Sequence, residues 1–254
     1  MGIGNKLSNV MIDVLILAFN RKDALEVSLE SLFKNFNVNK IWFYVDKFYD
    51  KETNKDQQEL LTYINSLEIN KEVLRSNINL GTQKAMKEAL KWMCKSSEKF
   101  LVLEEDIVIT EKSKEFFDQN KELLDTNSPH IIKLGMFYWG FFANKTAIEK
   151  MTSIDLGNVT DTEYNEIYKQ KKVFKNIFHF YLVREKYKRN GVFPWDDEFD
   201  MTAKMLDVTI TRPLNPTTVH FGEGKSSRLV REKKLSLSSC DHIGIRNGNF
   251  FTQG

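Results

Sequence analysis

Apolar positions along the chain fall into two alternating patterns, short unbroken runs and longer stretches at helical spacing. Val14 to Phe19 (VLILAF) is the first run, and it stops at Asn20-Arg21. From Asp23 the apolar residues Leu25, Leu29, Leu32, Phe33 and Phe36 recur at helical spacing, with Asp23 and Glu26 in a first turn where the helix dipole favours acids. The alternation continues with a strand at Ile41 to Val45 (IWFYV) ending at Asp46, a polar loop over 50–54, a helix over Gln57 to Leu67 and a short strand at Val73-Leu74. Asn77 to Gly81 (NINLG) reads as a turn, and Thr82 begins a helix of good formers reaching about Cys94. Phe100 to Thr110 (FLVLEEDIVIT) then drives four apolar residues straight into Glu104, Glu105 and Asp106. Unbroken runs without period-two alternation predict strands covered on both faces. Strands alternating with helices predict a mainly parallel sheet with right-handed crossovers.

In an open sheet of this kind, ligands bind in the crevice outside the carboxyl ends of the strands. Three predicted strand ends carry polar groups there: Asn20-Arg21, Asp46 and Glu104 to Asp106. Their shared placement points to a nucleotide-type ligand. Three adjacent carboxylates repel one another and are costly to desolvate, so a partly buried triplet needs a cation. A hard divalent metal, Mg²⁺ or Mn²⁺, held by one or two carboxylates keeps room for phosphate oxygens. The same triplet also reads as a solvated loop after a buried strand.

The second half is less regular. Glu111 to Leu124 reads as helix and Ile131 to Leu134 as strand. Met136 to Phe142 (MFYWGFF) gathers aromatics around Gly140, as core or as a platform for an acceptor or sugar, and Asn144 to Met151 reads as a short helix. Glu163 to Arg189 is a long Lys-rich helical stretch whose basic face is either solvated or laid on anionic lipid. After Asn190-Gly191 comes Phe193 to Asp200 (FPWDDEFD), where Pro194 excludes a helix interior and Asp196 is the expected N-cap of a helix through Leu206. Capping leaves Asp197 unexplained, and a carboxylate at a helix start beside a polar crevice is a candidate general base. Thr211 to Asn215 is a turn, and Thr217 to Gly224 (TTVHFGEG) is extended. His220 within it has two readings, a group closing over a metal or diphosphate and a satisfied histidine of the segment. Lys225 to Lys234 is strongly basic and either covers a diphosphate or forms a surface loop; the tail beyond it adds no signal.

Composition narrows the class. A chain of 254 residues with formal net charge +2, 28% charged and 41% hydrophobic residues fits one large α/β domain and not a disordered or nucleic-acid-coating protein, so no nucleic-acid partner is expected. Nineteen phenylalanines supply ample core. Cys94 and Cys240 form no metal-type spacing and no disulfide framework, which suits a reducing compartment. The first ten residues lack a basic region followed by an apolar one, and no stretch approaches the roughly 18 apolar residues of a spanning helix, so neither a signal peptide nor a transmembrane segment is expected. Gly2 is a poor myristoylation match because Lys6 stands where Ser or Thr is wanted.

Taken in order, VLILAFNRKDALEVSLESL, NLGTQKAMKEALKWM, FLVLEEDIVIT, YWGFFANKTAIEKM, PWDD and VHFGEGKSS resemble the landmarks of GT-A sugar-nucleotide glycosyltransferases, in particular N-acetylglucosaminyltransferase I and its bacterial relatives in polysaccharide assembly. The likeness covers about Asp13 to Arg228. It implies a GT-A fold, with about 10–110 as the nucleotide-sugar-binding half, about 111–228 as the acceptor-binding and catalytic half, and 229–254 as a tail. It implies that Asp106 coordinates Mn²⁺ (or Mg²⁺) and that Glu105, a Glu in place of the more usual Asp, contacts ribose or sugar. Ala18, Asn20, Arg21 and Asp46 are implied to cradle uridine and ribose. Asn79, Gly81 and Lys84 are implied to approach the diphosphate and sugar. Asp196 is implied to sit beside the substrate, with Asp197 as the catalytic base.

The activity so implied is transfer of a sugar, GlcNAc-type by likeness, from a UDP-sugar to a hydroxyl of a saccharide or lipid-linked oligosaccharide, in the cytoplasm or peripherally on the inner face of the membrane. One base with no second carboxylate nucleophile implies inversion. Two other functions share parts of this pattern. A sugar-phosphate nucleotidyltransferase shares the sheet but wants a Gly-rich, Arg-containing loop after the first strand, where this chain has AFNRKD. A non-catalytic sugar-nucleotide- or glycan-binding protein keeps the crevice without turnover.

Overall fold

A computed structural model of the chain describes residues 10–48, 55–135, 138, 140–154 and 195–220, together with the backbone of 243–246 and 249–252; for Asp197 the backbone alone is described. The first half alternates as the apolar pattern predicts: β1 (Met11–Ala18), α1 (Lys22–Asn35), β2 (Asn37–Val45), α2 (Lys55–Ser66), β3 (Lys71–Arg75), α3 (Gly81–Met93) and β4 (Lys99–Glu104). Then come β5 (Ile107–Ile109), α4 (Glu111–Asn120) continued by a 3-10 turn (Lys121–Asp125), β6 (His130–Lys133), β7 (Phe141–Asn144), α5 (Lys145–Thr152), α6 (Trp195–Met205), β8 (Thr209–Thr211) and β9 (Thr218–His220). A final antiparallel pair, β10 (Ile243–Arg246) and β11 (Asn249–Thr252), lies in the stretch where the sequence offered no expectation.

Seven strands form one sheet in the order β3-β2-β1-β4-β7-β6-β8. Pairing is parallel except around β7, which runs antiparallel to both β4 and β6. The unbroken apolar runs are buried on both faces. On β4, Leu101 and Leu103 join one core with Leu25, Leu29 and Leu32 of α1 and Leu60 of α2. Phe100 and Val102 join the other core with Met86 and Leu90 of α3, Ile148 of α5 and Phe199 of α6. β1 divides the same way, Val14 and Ile16 to the first core and Leu15 to the second. The result is a three-layer helix–sheet–helix stack.

The aromatic segment resolves toward core. Tyr138, Phe141 and Phe142 are buried, and Phe142 stacks on Phe117 with ring centroids 3.9 Å apart. Gly140 has φ +102°, and a Cβ there would come 3.2 Å from Leu103 Cδ2. Gly140→Ala is therefore expected to cost about 1–3 kcal/mol, read as a fall of several degrees in Tm. An unchanged Tm would mean the turn adapts freely.

One helix start differs from expectation. Asp196 is not the N-cap of α6, because that helix begins one residue earlier, at Trp195. Asp196 becomes a first-turn acid, still on the favourable end of the dipole. Met136, Phe137, Trp139, the Lys-rich stretch 163–189 and the basic segment 225–234 lie outside the described residues. Among the described residues no helix is long and apolar enough to cross a membrane.

Candidate active site

The strand order reverses at β1, with β2 on one side and β4 on the other, so the carboxyl ends of β1, β2 and β4 open on one edge of the sheet. A cavity of about 370 Å³ sits there, within the range of ligand clefts. Each strand end contributes to its wall. β1 supplies Ala18, Phe19 and Arg21, β2 supplies Tyr44 and Asp46, and β4 supplies Glu104, Glu105 and Asp106. Asn79, Gly81 and Thr82 from the start of α3 close another side, with Trp195, Asp196 and His220 opposite the sheet. Of the residues singled out in the sequence, Asn20 and Lys84 are not among the lining residues, and Lys84 is exposed on α3.

The acidic triplet is held by a compact network. Glu105 is 1% exposed. Its backbone N–H donates to the Leu17 carbonyl at 2.9 Å, extending the β1–β4 ladder by one rung. Its carboxylate accepts from the Phe19 N–H at 2.7 Å and from Arg21 Nε at 2.7 Å. Glu105 therefore ties the end of β1 to the end of β4, and it also lines the cleft, where the resemblance implies a contact with ribose or sugar. Arg21 also donates through Nη1 to Asp106 Oδ2 at 2.6 Å.

Asp106 is 1% exposed, and its Oδ2 also lies 3.0 Å from His220 Nε2. His220 arrives there because β9 pairs antiparallel with β5, placing Ile107 opposite His220. β5 is itself fixed to α1, since Ser28 Oγ donates to the Ile107 carbonyl at 2.7 Å and the Ile109 N–H donates to Ser31 Oγ at 3.0 Å. Thr110, the N-cap of α4, anchors the approach to β9 by donating to the Thr217 carbonyl at 2.6 Å.

A ligand set emerges that the sequence only partly suggested. Glu104, Asp106 and His220 each offer one ligand atom, and these atoms lie within 4.8 Å of one another. Asp106 Oδ1 is buried and has no hydrogen-bond partner among the described residues. A buried carboxylate oxygen left unpaired is costly, and a cation at that point would satisfy it. Two carboxylates and an imidazole suit a divalent ion of the Mn²⁺ type. Glu104 was legible as a ligand beside Asp106, since the two are separated by one residue at a strand end; His220 was visible only as one of two readings.

Charge and burial set the protonation of this group. Burial, then the charge of Asp106, pushes the Glu104 carboxyl up to about 7. Burial also raises Asp106, but the hydrogen bond and charge of His220, together with Arg21, outweigh it and hold this carboxyl below its ordinary value. For His220 burial acts downward, and the hydrogen bond to Asp106 with the charges of Asp106 and Glu104 brings it above its ordinary value. An acid raised in the folded state loses native stability as pH climbs from its unfolded value of 4.5 to about 7. In metal-free buffer, Glu104→Gln is therefore expected to gain Tm over the parent progressively from about pH 5 to 7.5. A constant gap across that range would contradict the arrangement.

The far wall is built by Asp46. Its carboxylate accepts from the backbone N–H groups of Leu80 at 3.0 Å and Gly81 at 3.0 Å, at the start of α3, and from Lys47 N–H at 3.0 Å. Gly81 takes φ +71°, a left-handed turn that glycine adopts without strain. Asn79 donates to the Lys47 carbonyl, and Gln57 Nε2 bridges the carbonyls of Phe19 and Asp46 at 2.8 Å each. On the opposite side Trp195 packs at 5.5 Å on buried Phe199 and at 5.6 Å on Tyr138, which seats the first turn of α6 at the cleft.

No protein-family model matches the chain, and no curated sequence does. Among solved structures, a protein from Bacillus anthracis assigned as a glucose-1-phosphate thymidylyltransferase, in complex with a sucrose, superposes with a TM-score of 0.52 at 7% identity, covering 88% of this chain and 95% of that one. This chain has a nucleotide-diphospho-sugar transferase fold. Looser likenesses at TM-scores of 0.44 and 0.42 run to S. aureus TarS and to a mannosyltransferase from Pyrobaculum calidifontis in complex with GDP-Man and Mn²⁺. The TarS match has 14% identity over 82% of this chain, which spans 60% of that fragment. The mannosyltransferase match has 10% identity over 76% of this chain and 69% of that one. In open α/β sheets the ligand crevice lies outside the carboxyl ends of the strands at the switch point, which here is β1, beside the acidic cluster.

Proposed function

We propose that the protein is a divalent-metal-dependent, inverting glycosyltransferase that moves a sugar, GlcNAc-type by sequence resemblance, from a UDP-sugar to a hydroxyl of a saccharide acceptor, lipid-linked or free. The observation carrying this reading is the buried, unpaired Asp106 Oδ1 within the Glu104–Asp106–His220 group, on the wall of the cleft at the switch point. Glu104, Asp106 and His220 would hold the metal. When bound, a divalent ion supplies Lewis acidity for charge developing on a leaving diphosphate.

The chain's own residues supply the rest. Arg21 holds Asp106 and Glu105 in place and keeps a guanidinium at the edge of the cleft, able to face phosphate oxygens. Asp46 fixes the start of α3, whose positive dipole end faces an anionic ligand well. Ala18 and Asn79 line the space beside it, and by the sequence resemblance Asn20 is assigned to uridine and ribose and Lys84 to the diphosphate and sugar. Asp196 lines the side opposite the sheet, and Asp197, next on α6, is assigned the proton of the attacking hydroxyl.

A nucleotidyltransferase shares this fold, but the segment after β1 is AFNRKD and has no Gly-rich loop to cradle a triphosphate. The two separate in one assay. With UDP-GlcNAc, Mn²⁺ and water as the acceptor, release of UDP and free sugar by donor hydrolysis is expected, abolished by EDTA and restored by added Mn²⁺. Pyrophosphate release from UTP plus a sugar phosphate, or full UDP release in EDTA, would refute the reading.

A further inference from the structure

The two helices that border the cleft, α3 and α6, are joined by a buried polar cluster outside it. Lys87 Nζ donates to Glu198 Oε1 at 2.7 Å, and Gln83 Nε2 donates to Glu198 Oε2 at 2.8 Å. Lys87 Nζ also reaches the Ile154 carbonyl, just past α5, at 3.2 Å. Glu198 is fully buried and Lys87 is 8% exposed, and neither is among the residues lining the cavity. Their sequence neighbours do line it. Gln83 follows Gly81 and Thr82 at the start of α3, and Glu198 follows Asp196 by two residues on α6.

Stability is a poor reason for this cluster. Replacing a buried ion pair by apolar residues of similar volume is commonly neutral or stabilising, because desolvation offsets the attraction. The same two helices already share apolar packing through Met86, Phe199 and Ala203. Such packing is undirected, whereas hydrogen bonds to a carboxylate have fixed geometry. We propose that Lys87 and Gln83, acting through Glu198, are positioning residues that lock the first turn of α6 in register with the start of α3. The lock keeps Asp196 and Asp197 at a set distance from the end of the cleft that receives the diphosphate. The inference rests on the reading of α6 as the carrier of the general base.

The test is the double variant Lys87→Met/Glu198→Met beside Glu198→Gln and Asp197→Asn. The double variant is expected to keep the parent's Tm and its KM for UDP-GlcNAc, while kcat falls roughly 10–100-fold, the scale set by misplacing a reacting group by about an ångström. Amide exchange within Trp195–Met205 is expected to speed up in parallel. Glu198→Gln keeps a group able to bond both partners and is expected to recover most of kcat. A double variant with parental kcat and parental exchange overturns the inference, as does one whose kcat loss only follows a fall in Tm. If the double variant does not fold, Gln83→Met, which removes one of the two bonds to Glu198 and leaves the buried ion pair, carries the same comparison: lower kcat with faster exchange is expected, and parental values of both overturn the inference. An Asp197→Asn variant with full kcat removes the reading of the base itself. An inactive Asp197→Asn beside a fully active double variant removes the positioning role alone.

Discussion

Asp106→Ala is expected to lower metal-dependent kcat/KM on the order of 10³-fold, the scale of losing a main charge-stabilising group at a reacting centre. Asp106 is the hub of the cleft. Its Oδ2 binds both Arg21 and His220, and its Oδ1 is buried and has no hydrogen-bond partner among the described residues; one of its carboxylate oxygens groups with ligand atoms of Glu104 and His220. Removing the carboxylate takes away a ligand and the bonds that Arg21 and His220 make to it. The fold is expected to survive, because Glu105 still ties β1 to β4 through Leu17, Phe19 and Arg21. Asp106→Asn keeps the shape and an oxygen but not the charge, so it should retain more Tm than activity. Mn²⁺ affinity measured by calorimetry should fall with kcat/KM in both variants; parental affinity in Asp106→Ala would place the metal elsewhere.

Asp197→Asn is expected to reduce kcat about 10²–10⁴-fold, the span of a general base, with donor KM unchanged. The amide preserves side-chain volume and the helical position but cannot accept the proton of the attacking hydroxyl. Asp196→Asn is the necessary companion, because Asp196 lines the cleft on the same first turn. Its expected effect is on KM. If Asp196→Asn abolishes turnover and Asp197→Asn does not, the base lies one residue earlier.

Much of this was legible along the chain. The runs at Val14 to Phe19 and Phe100 to Leu103 announced two-faced burial, since no polar residue interrupts them, and the strand ends then followed from the polar groups that stop them. β2 starts earlier than its apolar run because Asn37 and Val38 gain parallel pairing with β1, a long-range reward that local polarity conceals. β7 was hidden in MFYWGFF for the opposite reason: continuous aromatics carry no period, and its antiparallel place between β4 and β6 is set by tertiary pairing. The approach of His220 to Asp106 depends on β5 meeting β9, which no spacing encodes. For β10 and β11 a signal was present. Asn247-Gly248 between two short apolar stretches is a two-residue hairpin cue, masked by the polar residues that dominate the tail around it.

The central claim is that Glu104, Asp106 and His220 bind a divalent ion in the cleft. Anomalous diffraction from crystals soaked with Mn²⁺ and UDP tests it directly. A peak is expected within about 2.5 Å of Asp106 Oδ1, in reach of Glu104 or His220. No peak there, with Asp106 still bonded only to Arg21 and His220, would contradict the account.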